Sequence, residues 1–386
     1  MSADHGWFDY LKFYPNEVIQ VIPKGRIAFF LPSLYGGGAE RVAVHLLKGM
    51  SERDIPLDLV LATAEGPYLN QVPKQVRVVN LAAGRVVKAI LPLSRYLKYE
   101  KPCVLLSHLN HANLAAVVAR ELVRIETRLV LVEHNTLSAS KSKLLRSRLL
   151  LPLMKVLYPR ADAIIGVSRG VARDLEARLG IAKGKVNVIY NPVVDDVLVG
   201  KAKAPLDHPW FQKGSPPVFL AVGRLSAQKD FLTLIKAFEL LKRQKLVRLL
   251  ILGEGESRSE LEAMIAKLGI SEDVSMPGFV ENPYVYMSRA SAVVLSSRWE
   301  GLPTVLIEAM ACGCPVIATD CPSGPKEILE AGVYGPLVSV GDATALSAAM
   351  LQVLEAPANR NVLVQRAIDF SIDRVVPEYL ALLGYT

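Results

Sequence analysis

Residues 290–320, ASAVVLSSRWEGLPTVLIEAMACGCPVIATD, decide the fold of this chain. The run SAVVLSS reads as a strand, Pro303 suits the first turn of a helix, and Gly313 stops that helix before a second strand at PVIAT. Strand, helix and strand in this succession is the unit of a parallel sheet covered on both faces. The same stretch places Glu300 in the turn and Glu308 inside the helix, in an otherwise apolar setting. A Glu near a helix N-terminus can be no more than a favourable partner of the helix dipole. Glu308, however, stands in the run TVLIEAMA, where an unpaired charge is costly, so the two glutamates point to a function.

The alternation extends outward from this unit. Upstream in the same half, PVFLAVGRLSAQKDFLTLIKAFELLKR, LVRLLILGEGESRSELEAMIAKLGI and DVSMPGFV repeat it. In the first half, RIAFFLP, LDLVLAT, VRVVNL, PCVLLSH, RLVLVEH, ADAIIGVS and KVNVIYNP are strand candidates separated by amphipathic stretches. Between the halves, NPVVDDVLVGKAKAPLDHPWFQKGSPP is rich in Pro, Gly and charge and reads as a linker. The expectation is an α/β protein of two doubly wound domains, 1–195 and 215–370, with a C-terminal helix over 371–386 packing back on the first domain. A chain of 386 residues is long for one core and comfortable for two.

Composition excludes several classes. Hydrophobic residues make up 51% of the chain, which describes a globular protein rather than a disordered or fibrous one. No apolar run approaches the roughly 18 to 20 residues of a spanning helix. The stretch MSADHGWFDYLKFYPNEV lacks the basic start and apolar core of a secretory signal, so a cytoplasmic protein is expected. Cys103, Cys312, Cys314 and Cys321 lack the paired spacing of a zinc site and read as small buried thiols. The net charge of +8 is unevenly spread: residues 1–200 hold 27 Lys and Arg against 17 Asp and Glu. Such asymmetry suits an anionic partner, although a solvated basic face would look the same.

In open parallel sheets ligands bind where loops leave the carboxyl ends of the strands, so three turns merit chemical reading. In FLPSLYGGGAERVAVHLL a strand feeds Gly36, Gly37 and Gly38 and then a helix, allowing close backbone approach to an anionic ligand; a plain tight turn has the same pattern. In AVGRLSAQKD, Arg224 and Lys229 lie five residues apart ahead of a helix and can converge on one diphosphate, unless both are solvated surface charges. In the opening stretch, backbone N–H groups around Leu302 to Val305 suit phosphate oxygens, while Glu300 and Glu308 suit sugar hydroxyls. Together these groups fit a sugar attached to a diphosphate.

VGRLSAQKD, EGLPTVLIEAMACGCPVIATD and CPSGPKEIL resemble the retaining glycosyltransferases of the GT4 group, with their E-x7-E signature and GT-B fold. The resemblance covers nearly the whole chain, is most specific through residues 218–345, and rests before residue 200 mainly on YGGGAERV. It implies two Rossmann-like domains facing a cleft, with the nucleotide-sugar donor on the second and the acceptor on the first. It implies that Glu300 binds donor-sugar hydroxyls, Glu308 the ribose, and Arg224 and Lys229 the diphosphate. Gly37 and Gly38 would approach the diphosphate from the other domain. Gly301, Leu302, Pro303, Thr304 and Val305 would complete the donor loop, and Gly278, Phe279 and Val280 would face the base. The family's cleft histidine matches His134 of VEHNT, with His108 and His111 as rivals and a structural role as the alternative.

The resemblance further implies retention of anomeric configuration without an enzyme nucleophile, and no carboxylate presents itself as one. No D-x-D stands in a suitable loop, so no cofactor and no metal are expected. The signature is similar to that of bacterial enzymes extending polyprenyl-diphosphate-linked or lipopolysaccharide sugars, notably with N-acetylgalactosamine from its UDP donor. The expected reaction is transfer of a hexosyl or N-acetylhexosaminyl group from a UDP-sugar, UDP-GalNAc or UDP-GlcNAc, to a lipid-linked saccharide; a UDP-sugar epimerase or a transferase with a soluble acceptor is the alternative. SASKSKLLRSRLLLPLMKVLYPRADA carries Lys141, Lys143, Arg146, Arg148, Lys155 and Arg160 among leucines, with Pro152 interrupting it. That surface could rest on anionic lipid at the inner face of the cell membrane, or be an ordinary helix with a basic outer face. A nicotinamide dehydrogenase needs G-x-G-x-x-G with a later acid, which neither half supplies. No nucleic-acid-binding motif accompanies the charge.

Overall fold

The computed structural model describes residues 25–35, 37–138 and 145–385, leaving out the side chains of 145–149. The stretch MSADHGWFDYLKFYPNEV, Gly36, Lys141 and Lys143, and the side chains of Arg146 and Arg148, lie outside the described residues.

The first domain is one parallel sheet of β1 (Ile27–Leu31), β2 (Leu57–Leu61), β3 (Arg77–Asn80), β4 (Val104–His108), β5 (Arg128–Glu133), β6 (Ala163–Gly166) and β7 (Asn187–Val188). Their order is β3-β2-β1-β4-β5-β6-β7. The second sheet holds β8 (Val218–Val222), β9 (Arg248–Leu252), β10 (Val274–Gly278), β11 (Ala292–Leu295), β12 (Val316–Thr319) and β13 (Leu337–Val338). Its order, β10-β9-β8-β11-β12-β13, repeats the first. All neighbouring strands are parallel, with Phe29 opposite Leu59 and Leu106, and Phe219 opposite Leu249 and Ala292. Every residue of β1, β2 and β4 is buried, which is why these strands read as unbroken apolar runs. The direction of winding reverses between β1 and β4 and again between β8 and β11. The crevices where ligands settle therefore open at the carboxyl ends of those four strands.

Helices cover both sheets because one stripe of each is apolar. Helix Gly38–Ser51 buries Val42, Ala43, Leu46, Leu47 and Met50, a three-to-four residue spacing. Helix Phe231–Lys242 buries Phe231, Leu234, Ile235, Phe238 and Leu241 on the same rule. One core cluster fills the first domain and continues through Val305, Leu306 and Met310 into helix Ile372–Leu383. Another lies within the second domain around Phe219, Phe238, Leu249 and Met350.

Three details depart from the sequence reading. The linker is partly folded: Asp195 caps helix Asp196–Ala202 through the N–H of Leu198, and carbonyls of Lys201, Ala202 and Ala204 accept bonds from Asn282, Ser288 and Arg289. The Asp195 carboxylate that read as linker charge is the cap that starts the helix. Pro303 stands at the cap, and the helix begins at Thr304. Strand β13 went unread because two residues carry no period. The other end of helix Thr304–Ala311 matches the reading, since Gly313 takes a left-handed φ of 68° just past Cys312.

After β13 and its helices the chain returns to the first domain. The N–H of Val193 donates to Phe370, that of Ile372 to Val194, and helix Ile372–Leu383 lies on helix Gly38–Ser51. The crossing is close because Gly49 has no side chain: a Cβ there would overlap Ile372 and come within 2.7 Å of Val376. Both neighbours are β-branched and cannot swing aside. Gly49→Ala, which in an exposed helix would stabilise, should here destabilise by about 1–3 kcal/mol in urea unfolding. A rise in midpoint would show that the crossing is looser than described.

Candidate active site: two paired glutamates in the cleft

The site is built on the loops after β8 and β11. These loops are knitted together: Ser296 Oγ donates to the Lys229 carbonyl at 2.7 Å, and the Arg298 N–H donates to that of Gln228 at 2.8 Å. Lys229 folds over Gly223, where a Cβ would stand 3.1 Å from its Cε. Its ammonium reaches Glu300 Oε1 at 2.6 Å, and the same oxygen accepts from Ser297 Oγ at 2.6 Å. Gln228 adds a bond to the Trp299 carbonyl at 2.9 Å. Glu300 is thus a buried carboxylate with its partners fixed by two strand ends.

Glu308 is one helical turn inside helix Thr304–Ala311, its side chain 4% exposed. Its partner comes from the other domain. Arg41, at the start of helix Gly38–Ser51, pairs with Glu308 Oε1, donates to Thr304 Oγ1 at 3.0 Å, and approaches the Tyr284 hydroxyl at 3.4 Å. No side chain caps helix Thr304–Ala311. Leu302, Pro303 and Val305 are buried, while Thr304 is half-buried beside the Arg41 guanidinium.

The structure brings several predicted residues together and leaves others apart. Gly301 is a close seam between the domains, because a Cβ there would overlap the His134 carbonyl oxygen. Its own carbonyl accepts from Ser168 Oγ and Ser323 Oγ, each at 2.9 Å. His134 therefore borders the Glu300–Gly301 turn. Gly37 precedes helix Gly38–Ser51 with the Glu40 carboxylate packed against it, and Gly38 faces open space. Gly278 carries a φ of 96° at the end of β10, followed by exposed Phe279 and half-buried Val280. Arg224 is exposed and paired with Glu256 at 3.1 Å. Among the described residues no group of three or more His, Cys, Asp or Glu is placed to hold a metal ion.

Sequence reading missed Arg41, Ser168 and Glu327. Arg41 lies inside the quoted YGGGAERV, where a cation one turn into the helix after three glycines was the available signal. Glu327 accepts from the N–H groups of Arg169 and Gly170 at 2.8 Å each, so a carboxylate of one domain caps helix Arg169–Leu179 of the other.

His108 Nδ1 and His134 Nε2 are 3.0 Å apart and the rings stack. Burial lowers the His134 pKa to about 3 and pushes His108 well below its usual value, so both rings are neutral near pH 7. His111 stands nearer the surface and contacts Asn110 at 3.2 Å. Beside His134, Glu133 is buried against the Tyr158 hydroxyl and Asn113 Nδ2, the latter at 2.9 Å. Burial raises its pKa to about 7, against the opposing hydrogen bonds.

Each domain is a doubly wound parallel α/β sheet, and the pair is the GT-B arrangement. Residues 206–370 match the family model described as glycosyl transferases group 1, and residues 36–197 match that of glycosyltransferase family 4. The chain belongs to these glycosyltransferases and is a transferase enzyme. It is 33% identical over 341 residues to the N-acetylgalactosamine-N,N'-diacetylbacillosaminyl-diphospho-undecaprenol 4-alpha-N-acetylgalactosaminyltransferase of Campylobacter jejuni subsp. jejuni serotype O:2, covering 86% of this chain and 90% of that one. A second protein of that organism, the GalNAc-alpha-(1->4)-GalNAc-alpha-(1->3)-diNAcBac-PP-undecaprenol alpha-1,4-N-acetyl-D-galactosaminyltransferase, is 28% identical over 93% of this chain and 98% of its own. Among solved structures, Anabaena Alr3699/HepE in complex with UDP superposes with a TM-score of 0.75 at 22% identity, over 94% of this chain and 100% of that one. The lipopolysaccharide outer core galactosyltransferase WaaB in its apo form gives 0.73 at 23% identity over the same shares.

Glu133 yields a pH test. A carboxyl whose pKa is raised on folding, from 4.5 to about 7, binds its proton more tightly in the folded chain. Its contribution is fully present below pH 4.5 and is lost as pH rises to about 7, at about 1.4 kcal/mol per pH unit. Between pH 5 and pH 8 the unfolding free energy of the wild type should therefore fall more, or rise less, than that of Glu133→Gln, the buried histidines contributing equally to both. An equal pH dependence in both would mean that Glu133 is not buried as described.

Proposed function

We propose that the chain transfers a hexosyl or N-acetylhexosaminyl group, from UDP-GalNAc or UDP-GlcNAc, to a lipid-linked saccharide, with retention of configuration. The observation that carries this reading is the pair of buried carboxylates, Glu300 and Glu308, eight residues apart on one strand-to-helix turn at the cleft. The names of the Campylobacter relatives support the lipid-linked acceptor and the N-acetylgalactosaminyl donor, and the UDP complex of the Anabaena protein supports a uridine nucleotide.

In this reading Glu300 accepts hydrogen bonds from donor-sugar hydroxyls and Glu308 from the ribose. The uncapped start of helix Thr304–Ala311 receives phosphate oxygens, with Gly301 to Val305 shaping the loop. Gly278, Phe279 and Val280 border the base, and Gly37 and Gly38 close on the diphosphate from the other domain. Lys229 neutralises the diphosphate, joined by Arg224 if it swings in from Glu256. The acceptor oxygen bonds C1 on the face from which the diphosphate departs, and its proton passes to the departing phosphate oxygen. Catalysis is then positioning plus charge stabilisation, with no metal and no other cofactor. His134, neutral through burial, acts as a hydrogen-bond partner in the cleft rather than as a cation.

The acceptor would reach the cleft from a membrane. No helix among the described residues is long and apolar enough to cross one, so attachment would be peripheral, on the cytoplasmic face. Exposed Lys155 and Arg160, with Leu153 50% and Val156 59% exposed beside them, suit an anionic lipid surface.

Incubation with UDP-sugars, with and without a polyprenyl-diphosphate-linked saccharide, tests the reaction. Transfer only with acceptor is expected; an epimer formed from donor alone would establish the epimerase alternative, and turnover in neither arm would reject the reading. Activity in excess EDTA should be undiminished, whereas strict dependence on added divalent metal would contradict the mechanism. Glu300→Gln should lower kcat with little change in UDP affinity, and Glu308→Gln should weaken UDP binding, each by about 1.5–3 kcal/mol. Unchanged kinetics in both would remove the assigned roles.

A further inference from the structure

The cleft carries its own charge balance. Glu300 is paired with Lys229 and Glu308 with Arg41, so each carboxylate that would accept donor hydroxyls is occupied by a cation. All four side chains are largely withdrawn from water: Lys229 is 18% and Glu300 9% exposed, Arg41 24% and Glu308 4%. A nucleotide sugar carries hydroxyls that can take over the carboxylates and a diphosphate that needs cations. The Arg41 guanidinium lies between Glu308 and Thr304, the first residue of the uncapped helix, and so between the positions of ribose and phosphate.

We infer that Arg41 is a diphosphate-binding residue contributed by the first domain, and that donor binding exchanges its partner from Glu308 to phosphate. This rests on the donor reading above and extends it to a residue outside that reading. The ribose hydroxyls replace the guanidinium on Glu308. Arg41 cannot shed its charge, because the Glu308 carboxylate and its own chemistry hold its pKa above the usual range despite burial. A cation withdrawn from water and deprived of its counter-ion requires another anion close by. The diphosphate at the start of helix Thr304–Ala311 is that anion, and a planar guanidinium suits its oxygens. Because Arg41 stands on helix Gly38–Ser51, it ties the domains together in either pairing: through Glu308 as described, and through the donor once that is bound.

Binding of uridine and of UDP separates this role from one of merely orienting Glu308. Arg41→Ala and Arg41→Gln should weaken UDP by about tenfold or more while leaving uridine unchanged or slightly tighter, because the competitor for Glu308 is gone. Arg41→Lys should keep most of the preference for UDP over uridine. Glu308→Gln, as the control for the underlying reading, should weaken both ligands together. If the Arg41 variants, folded by circular dichroism, weaken uridine and UDP equally, Arg41 only positions Glu308 and the proposal fails. Undiminished UDP binding in those variants overturns it as well. If neither ligand binds the wild-type chain, the donor reading itself falls and takes the proposal with it.

Discussion

The structure depends on the neutralisation of two carboxylates that its own packing withdraws from water. Glu308 sits among Leu306, Ile307 and Met310 in a helix that is buried on nearly every side, and Glu300 lies in a turn pressed against the opposite domain. Removing one partner from such a pair costs about 3–5 kcal/mol, a large part of the stability of a domain. The cations are therefore structural requirements of the fold. They also fix where the domains meet, since one of the two crosses the cleft.

Around that constraint the interdomain seam is drawn tight by backbone contact. Gly301 against the His134 carbonyl, Ser168 and Ser323 on the Gly301 carbonyl, and Glu327 on the start of helix Arg169–Leu179 all lie beside the Glu300 turn. At the far side of the molecule helix Ile372–Leu383 carries the end of the chain back onto helix Gly38–Ser51, the element that bears Arg41. The first domain, the turn at Glu300 and the C-terminal helix are thus mechanically continuous, and a shift at one is felt at the others.

The fold was legible because strand and helix periods in both halves are long and uninterrupted. The runs RIAFFL and VFLAV announce strands buried on both faces, and Pro303 and Gly313 bracket their helix to within one residue. The turn holding Glu300 and Glu308 was legible for a related reason, since a charge inside TVLIEAMA has no local explanation. What remained hidden was pairing at a distance. Arg41 and Glu308 are separated by 267 positions, and Arg169 and Glu327 by 158, so nothing in either local pattern names the other. Arg224 shows the converse: its spacing from Lys229 suggests convergence, yet it has a partner of its own in Glu256.

If the turn from Glu300 to Glu308 holds a uridine diphosphate sugar, a crystal structure of the chain soaked with UDP should show ribose hydroxyls within hydrogen-bond distance of the Glu308 carboxylate, with the diphosphate over the start of helix Thr304–Ala311. Density for UDP elsewhere, with the Arg41–Glu308 and Lys229–Glu300 pairs left intact, would contradict that reading.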